Sequence, residues 1–365
     1  MKSVISMPSN PLSVLADSRR IAVFRALQIG DMLCAVPALR ALRAAAPAAA
    51  ITLIGLPWAA EFARRFRQYI DDFVPFPGAP GMPEQPASSD GLDAFYRDMQ
   101  ARGFDLALQL HGDGRLTNAI VRGLGARRVA GSYPSDKPVD QPGFIAHPAH
   151  EPEVRRLVRV VEALGAATRG ETLEFPIRGD EWKELARLRA AYGLRPGEYV
   201  CIHPGARLAT RRWLPERFAA VADALATRGM RVVLTGTHDE QLLTQAVARA
   251  THAGATNLCG QTSLGVLGAL YAGARLLVCN DTGVSHLAAA LCVPSVVIYT
   301  GSDPARWAPL DHERHRAIHA PADCRPCNHT TCPIGHRCAL DVTADQVTSA
   351  ALELMGYDTG KRAAM

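Results

Sequence analysis

No apolar run in this 365-residue chain approaches the roughly 20 residues that a membrane-spanning helix needs, so a helical membrane span is excluded. The first eighteen residues, MKSVISMPSNPLSVLADS, lack a continuous apolar stretch and hold one lysine and two prolines, which makes a poor secretory signal. They read as a flexible N-terminal extension (1–18), and the protein reads as cytoplasmic. Charge of one sign is not concentrated anywhere. The formal net charge of +5 is spread along the chain, which suits an anionic small molecule or an anionic membrane face but not nucleic acid. Short-period repeats and heptads are absent. With 48% hydrophobic and 21% charged residues the composition is that of a globular protein rather than a disordered one.

What is present is alternation. Strand-like runs at 20–25 (RIAVFR), 51–55, 73–76 and 105–110 (DLALQL) are separated by helical stretches through 46, around 57–68 and after the Pro/Ser/Gly-rich segment 78–91. This is the mark of βα units in a parallel sheet. The pattern weakens between 169 and 196, where a charged helix (181–192) and Pro/Gly punctuation suggest an interdomain link. It resumes with strands at 199–203, 231–236, 257–259, 276–279 and 295–299 and helices at 215–228, 239–251 and 263–272. The expected fold is α/β, two three-layer Rossmann-like domains in series. The expected bounds are 19–175, 176–342 and a closing helix with its tail at 343–365. Ligands of open α/β sheets bind beyond the carboxyl ends of the strands, so two such domains would wall a central cleft.

Three stretches at those ends carry candidate chemistry. In FRALQIGDML, Gly30 permits a tight strand-to-helix turn and Asp31 follows it, either as a helix cap or as a general base. A G-x-G-x-x-G dinucleotide fingerprint is missing there. In CIHPGARLATRRWLPERF, Arg211 and Arg212 precede a helix opened by Pro215; arginine forks match diphosphate oxygens, and a solvated basic pair is the alternative. In NDTGVSHLAAALCVPSVVIYTGSDPARWAP, Asp281, Thr282, Gly283 and His286 gather at a helix start, where free N–H groups and the helix dipole attract anions. His111, Asp113 and Arg115 (HGDGR) either line an acceptor side or form a capped turn.

Together, IAVFRALQIGDMLCAVPALRAL, IHPGARLATRRWLPERF and DTGVSHLAAALCVPSVVIYTGSDPARWAP resemble three signature blocks of glycosyltransferase family 9, the ADP-heptose heptosyltransferases of lipopolysaccharide assembly. The blocks stand in the family's order and spacing, and the resemblance covers about residues 19–357. It implies a GT-B fold whose last helix, near 344–355, returns to the N-terminal domain. It also implies inverting transfer from ADP-heptose with no cofactor required for catalysis. The catalytic Asp of the family maps to Asp31; its donor-binding residues map to Asp281, Thr282, Gly283 and His286, and its basic residue before Trp maps to Arg211. Val284 and Cys292 depart from the common Pro and Gly without removing a polar group. The implied partners are ADP-heptose and a lipopolysaccharide core acceptor, with peripheral contact on the cytoplasmic face of the inner membrane. A protein or small-metabolite acceptor, or a GT-B nucleotide-sugar epimerase or nucleotide-binding regulator, are the other readings.

Nine cysteines are present. Cys34, Cys201, Cys259, Cys279 and Cys292 sit in apolar surroundings and read as reduced core residues. Cys324, Cys327, Cys332 and Cys338 cluster in the segment 324–338, ADCRPCNHTTCPIGHRCALD with its flanks. Cys324-x2-Cys327 is a good metal knuckle, whereas the spacing to Cys338 is loose. A structural zinc or iron, or free and redox-active thiols, are both open. The loop has little apolar content and would be floppy unless something ties it. Comparable segments occur in several branches of the family, so they do not identify the acceptor.

Overall fold

The computed structural model describes residues 11–85, 89–139 and 141–357. Two compact units divide the chain between Thr172 and Leu173. Each is built on a parallel six-stranded sheet. In the first unit the strands are β1 (Arg20–Phe24), β2 (Ala50–Gly55), β3 (Asp72–Pro75), β4 (Leu106–Gln109), β5 (Arg128–Tyr133) and β6 (Phe144–Ala146), in the order β3-β2-β1-β4-β5-β6. In the second they are β7 (Tyr199–His203), β8 (Arg231–Leu234), β9 (Thr256–Asn257), β10 (Leu276–Asn280), β11 (Ser295–Ile298) and β12 (His315–Ile318), in the order β12-β11-β10-β7-β8-β9. Counted from its own first strand, each sheet therefore runs 3-2-1-4-5-6.

The central strands are apolar up to a polar residue at their carboxyl ends (Gln109, His203, Asn280) because helices cover both faces. Every residue of β7, β10 and β11 is buried, as is all of β4. The alternation predicts eight of the twelve strands; β5, β6 and β12 give no such signal, and the strand expected at 257–259 is reduced to the two residues of β9. The helical stretch read through residue 46 is two helices, Ile29–Cys34 and Val36–Ala45. Pro37 sits at the start of the second, where its missing N–H costs nothing, so the chain can re-initiate a helix there.

Three expectations on domain limits change. Part of the N-terminal extension is ordered: Pro11–Ala16 is a short helix, Leu15 is buried, and the Ser18 hydroxyl donates to the Val14 carbonyl at 2.6 Å. Residues 1–10 lie outside the described residues. The charged helix Gly179–Tyr192, read as part of a link though inside the expected bounds 176–342, belongs to the second unit as those bounds have it, where it packs on helix Leu264–Ala272. Its Glu181 is buried because it pairs with Arg178 at 2.9 Å and lies against the bare Cα of Gly265. The closing helix Ala344–Leu354, expected on the first unit, instead buries Val347, Ala350, Ala351 and Leu352 in the core of the second, beside helix Pro215–Ala226. Among the described residues no helix is long and apolar enough to cross a membrane.

Trp213 pins this closing segment. It is fully buried, and its indole N–H donates to the Val342 carbonyl at 3.0 Å. Trp213→Ala is expected to destabilise the chain by about 3–5 kcal/mol, the range for emptying a buried aromatic site, read as a lower urea midpoint.

Candidate active site

A 3-2-1-4-5-6 sheet reverses its winding direction between strands 1 and 4, and the loops leaving those two strands splay apart to form a crevice. The reversals here fall at β1/β4 and β7/β10. The loops that leave them are 26–31, 111–115, 203–213 and 281–286, which hold every candidate catalytic and binding residue other than the cysteines. Topology thus selects the same loops that the residue types selected.

In the first unit, Asp31 is not the cap of its helix. Gln28 occupies that position without a side-chain bond, and Asp31 stands in the first turn with its side chain a quarter exposed. The guanidinium of Arg25, fully buried, donates from Nε to the Asp31 carbonyl at 2.8 Å and lies 3.8 Å from the Asp31 carboxylate. Arg25 also donates to the Leu110 carbonyl and, at 3.2 Å, to the buried carboxylate of Glu153. His111 is buried against Phe24, stacked at 5.7 Å between centroids, and its Nδ1 accepts the Ala26 N–H at 3.3 Å. Burial first, and then the Arg25 charge, push its pKa down to about 3, with Glu153 opposing. His111 is a neutral tie between the loops that follow β1 and β4. Asp113 accepts the Arg115 N–H at 2.9 Å, and Arg115 pairs with Asp136 at 2.6 Å on the surface, raising the arginine's pKa and lowering that of Asp136. The capped turn foreseen as one alternative for HGDGR is therefore formed; Gly114, at φ +83°, packs its bare Cα against the Ser132 carbonyl, where a side chain has no room.

In the second unit the two arginines part company. Arg212 donates from Nε to the Ala206 carbonyl at 2.8 Å and braces its own loop. Arg211 has its Nε buried with no partner among the described residues, an arrangement that costs free energy unless a ligand or solvent oxygen meets it. The loop carrying both is fixed to β10 by Asn280, which accepts the Trp213 N–H at 2.9 Å and donates to the Pro204 carbonyl at 2.7 Å. Immediately after Asn280, Asp281 is buried and its N–H donates to Ile298. Thr282 is the cap of helix Gly283–Ala290 but does not spend its hydroxyl on the helix N–H groups. His286 is buried on the first turn with Trp307 edge-on at 6.1 Å.

Hydrogen bonds tie the cysteine loop to the rest of the second unit. Arg325 donates to the Tyr299 and Thr300 carbonyls at 3.0 and 2.8 Å, and the Cys327 N–H donates to Gly301 at 2.6 Å. The Thr210 hydroxyl donates to the His329 carbonyl at 2.6 Å, while the Thr210 carbonyl accepts from Thr300 at 2.8 Å and from His336 Nε2 at 3.0 Å. The four thiols are near enough that Cys324, Cys332 and Cys327 join burial in raising the Cys338 pKa. Among the described residues, however, no three His, Cys, Asp or Glu side chains are arranged to hold a metal ion. The loop, expected to be floppy unless something ties it, is tied at least by these hydrogen bonds.

Comparison with known proteins agrees with this geometry. The profile of glycosyltransferase family 9 (heptosyltransferase) matches residues 93–337, well over half of the chain. The chain belongs to glycosyltransferase family 9. Lipopolysaccharide heptosyltransferase 3 of Escherichia coli K12 is 30% identical over 220 residues, covering 58% of this chain and 63% of that protein. The chain thus spans somewhat under two thirds of the length of this curated relative. Among solved structures, the Escherichia coli ADP-heptose lps heptosyltransferase II is 21% identical with a TM-score of 0.71, covering 92% of this chain and 98% of that one. A family 9 glycosyltransferase from Veillonella parvula is 24% identical with a TM-score of 0.69, covering 82% and 85%. The fold is GT-B.

The family match begins after Asp31, so the role of that residue rests on its GD turn and its surroundings. Sequence reasoning passed over Arg25, Glu153, Asn280 and the His203–Glu240 pair. His203 is buried, held by Thr235 at 3.1 Å with Glu240 at 3.6 Å; burial lowers its pKa and Glu240 opposes. Only Asn280 left a signal, as a polar residue ending an otherwise apolar strand. Because His111 is neutral when folded and ordinary when unfolded, the unfolded chain binds the extra proton between about pH 6.5 and 3. Its contribution to stability therefore falls as pH drops through that window. His111→Gln should flatten the acid loss of stability between pH 6.5 and 4, measured by denaturant midpoints at each pH.

Proposed function

We propose that this family 9 chain is an inverting glycosyltransferase that moves heptose from ADP-heptose to a hydroxyl of the lipopolysaccharide inner core. The observation that carries the reading is the buried, unpartnered Nε of Arg211, in the loop that Asn280 binds to the Asp281–Gly283 helix start. Such a site matches a diphosphate: a cationic fork on one side, and a helix N-terminus with an uncommitted hydroxyl on the other. Asp281 and His286 complete the donor set. Support for the sugar and the acceptor comes from the names of the relatives.

In this mechanism Asp31 accepts the proton of the acceptor hydroxyl as its oxygen bonds to the anomeric carbon. The carbon–oxygen bond to the diphosphate breaks on the opposite face, and ADP leaves with the electron pair. A single displacement of this kind inverts the configuration. Negative charge grows on the leaving diphosphate, so donors already fixed there lower the barrier most. His111, Asp113 and Arg115 belong to the acceptor side in this reading, His111 by holding its loop. A cytoplasmic enzyme touching the inner-membrane surface goes with an amphiphilic acceptor and a charge of +5.

The test is heptose transfer from ADP-heptose to a heptose-deficient lipopolysaccharide core, followed by mass analysis of the product. Asp31→Asn should retain donor binding and lose about a hundredfold or more in turnover. Arg211→Ala should raise the donor KM or lower donor kcat/KM by about tenfold to a hundredfold, the scale of a lost charged hydrogen bond of about 1.5–3 kcal/mol. An unchanged Asp31→Asn rate would reduce that residue to a first-turn acid, and a change confined to acceptor KM in Arg211→Ala would move it out of the donor site.

A structural zinc or iron on Cys324, Cys327, Cys332 and Cys338 is a separate part of the reading. It is supported by four thiols within fifteen residues that influence one another electrostatically. Since the loop is already tied by Arg325 and Thr210, the ion would add stability and not chemistry. Purified protein should carry about one equivalent of metal, and Cys324→Ser should lose it with a larger drop in Tm than in kcat. Metal-free protein whose four thiols alkylate freely at undiminished Tm would remove this part alone.

A further inference from the structure

The side chains behind Asp31 form a buried charge cluster that the reaction scheme above does not use. Arg25 closes β1 and makes four contacts: the Asp31 carbonyl, the Asp31 carboxylate, the Leu110 carbonyl and Glu153. Glu153 is nearly as buried, stands on the first turn of helix Glu153–Glu162, and lies 4.0 Å from the guanidinium of Arg156. Arg156 in turn meets the His147 ring at 3.2 Å. A buried ion pair does little for stability against an apolar pair of the same size, so its retention at this place calls for another account. The guanidinium is fixed by the planar geometry of its fork. It therefore holds the backbone of the GD turn and sets the charge behind its carboxylate at the same time.

We propose that Arg25 and Glu153 are a positioning pair for Asp31, fixing where its carboxylate stands and balancing the positive charge beside it. Neither residue touches the substrate in this account; both act through Asp31, and the inference rests on the reading of Asp31 as the base. Among the described residues, the other titratable groups seen at the cluster are the Arg156 guanidinium, the His147 ring against it, and the His111 ring, whose pKa burial and the Arg25 charge push down to about 3. With Glu153 neutralised, the Arg25 guanidinium 3.8 Å from the Asp31 carboxylate loses that counter-charge, and a nearby cation favours the ionised carboxylate. With Arg25 shortened to lysine, the charge persists but the fork to the Asp31 carbonyl is lost.

The two variants make different demands on heptose transfer from ADP-heptose to heptose-deficient core. Glu153→Gln keeps an acceptor oxygen for Arg25 and should move the acid limb of the kcat/KM profile down by about half a pH unit or more, with the donor KM within about twofold. Arg25→Lys should lower kcat by about tenfold or more with the donor KM again little changed, the pattern of a displaced group and not of lost binding. Circular dichroism and thermal melts check that each variant is folded; if Glu153→Gln does not fold, Arg25→Lys still decides. A folded Glu153→Gln enzyme with the original acid limb, or Arg25→Lys with the original kcat, overturns the proposal. Asp31→Asn measured alongside separates the failures: retained turnover there removes the base itself, whereas lost turnover there with unmoved Arg25→Lys and Glu153→Gln profiles removes only the positioning pair.

Discussion

The reversal of strand winding is the constraint on which the remaining features of each unit depend. A parallel sheet whose first strand lies at its centre must send its connections in opposite directions from strands 1 and 4, which leaves a crevice between those connections. Polar residues can collect there without entering the core. Arg25, Ala26 and Asp31 follow β1 and His111 follows β4; His203 closes β7, and Asn280 closes β10 ahead of Asp281. Side chains then span the gap: in the first unit the His111 ring reaches the Ala26 N–H and Arg25 reaches the Leu110 carbonyl, and in the second Asn280 grips Trp213 and Pro204. The two units solve the same geometric problem with different chemistry, a neutral imidazole in one and an amide in the other.

Much of this was legible from residue order. Strands buried on both faces announce themselves as apolar runs, which is why β7 and β10 were read to within a residue. What escaped was of two kinds. Short edge strands such as β6 and β12 carry polar or charged neighbours and too few residues for a period to show. Contacts distant in sequence leave no local trace at all: Arg25 and Glu153 are separated by 128 positions, and nothing near either residue specifies the other. Glu181 shows the same limit in a third way, since an acid on the first turn of a charged helix reads as exposed until Gly265 is seen to make room for it.

The candidate site was legible in its motifs but not in its division of labour. Residue type leaves Arg211 and Arg212 equivalent; only the fold assigns Arg212 to the Ala206 carbonyl and leaves Arg211 with an unmet donor. Likewise His111 has the residue type of an acceptor-side contact, yet burial against Phe24 turns it into a structural tie. Counting cysteines leaves a metal and free thiols both open for the 324–338 segment, and shows nothing of the arginine and threonine hydrogen bonds that tie it.

Thr210 is the residue where these strands of organisation meet. Its hydroxyl holds the His329 carbonyl, and its own carbonyl, which can only accept, is bonded by the Thr300 hydroxyl and by His336 with the proton on Nε2. Two loops from separate parts of the second unit, the turn after β11 and the 324–338 segment, thus converge on the peptide next to Arg211. The backbone beneath that guanidinium has little freedom left to lose when an anion arrives, because its ordering took place during folding. The loop is thereby a braced mount, and if Arg211 meets a diphosphate as proposed, that bracing would favour one oxygen geometry over another.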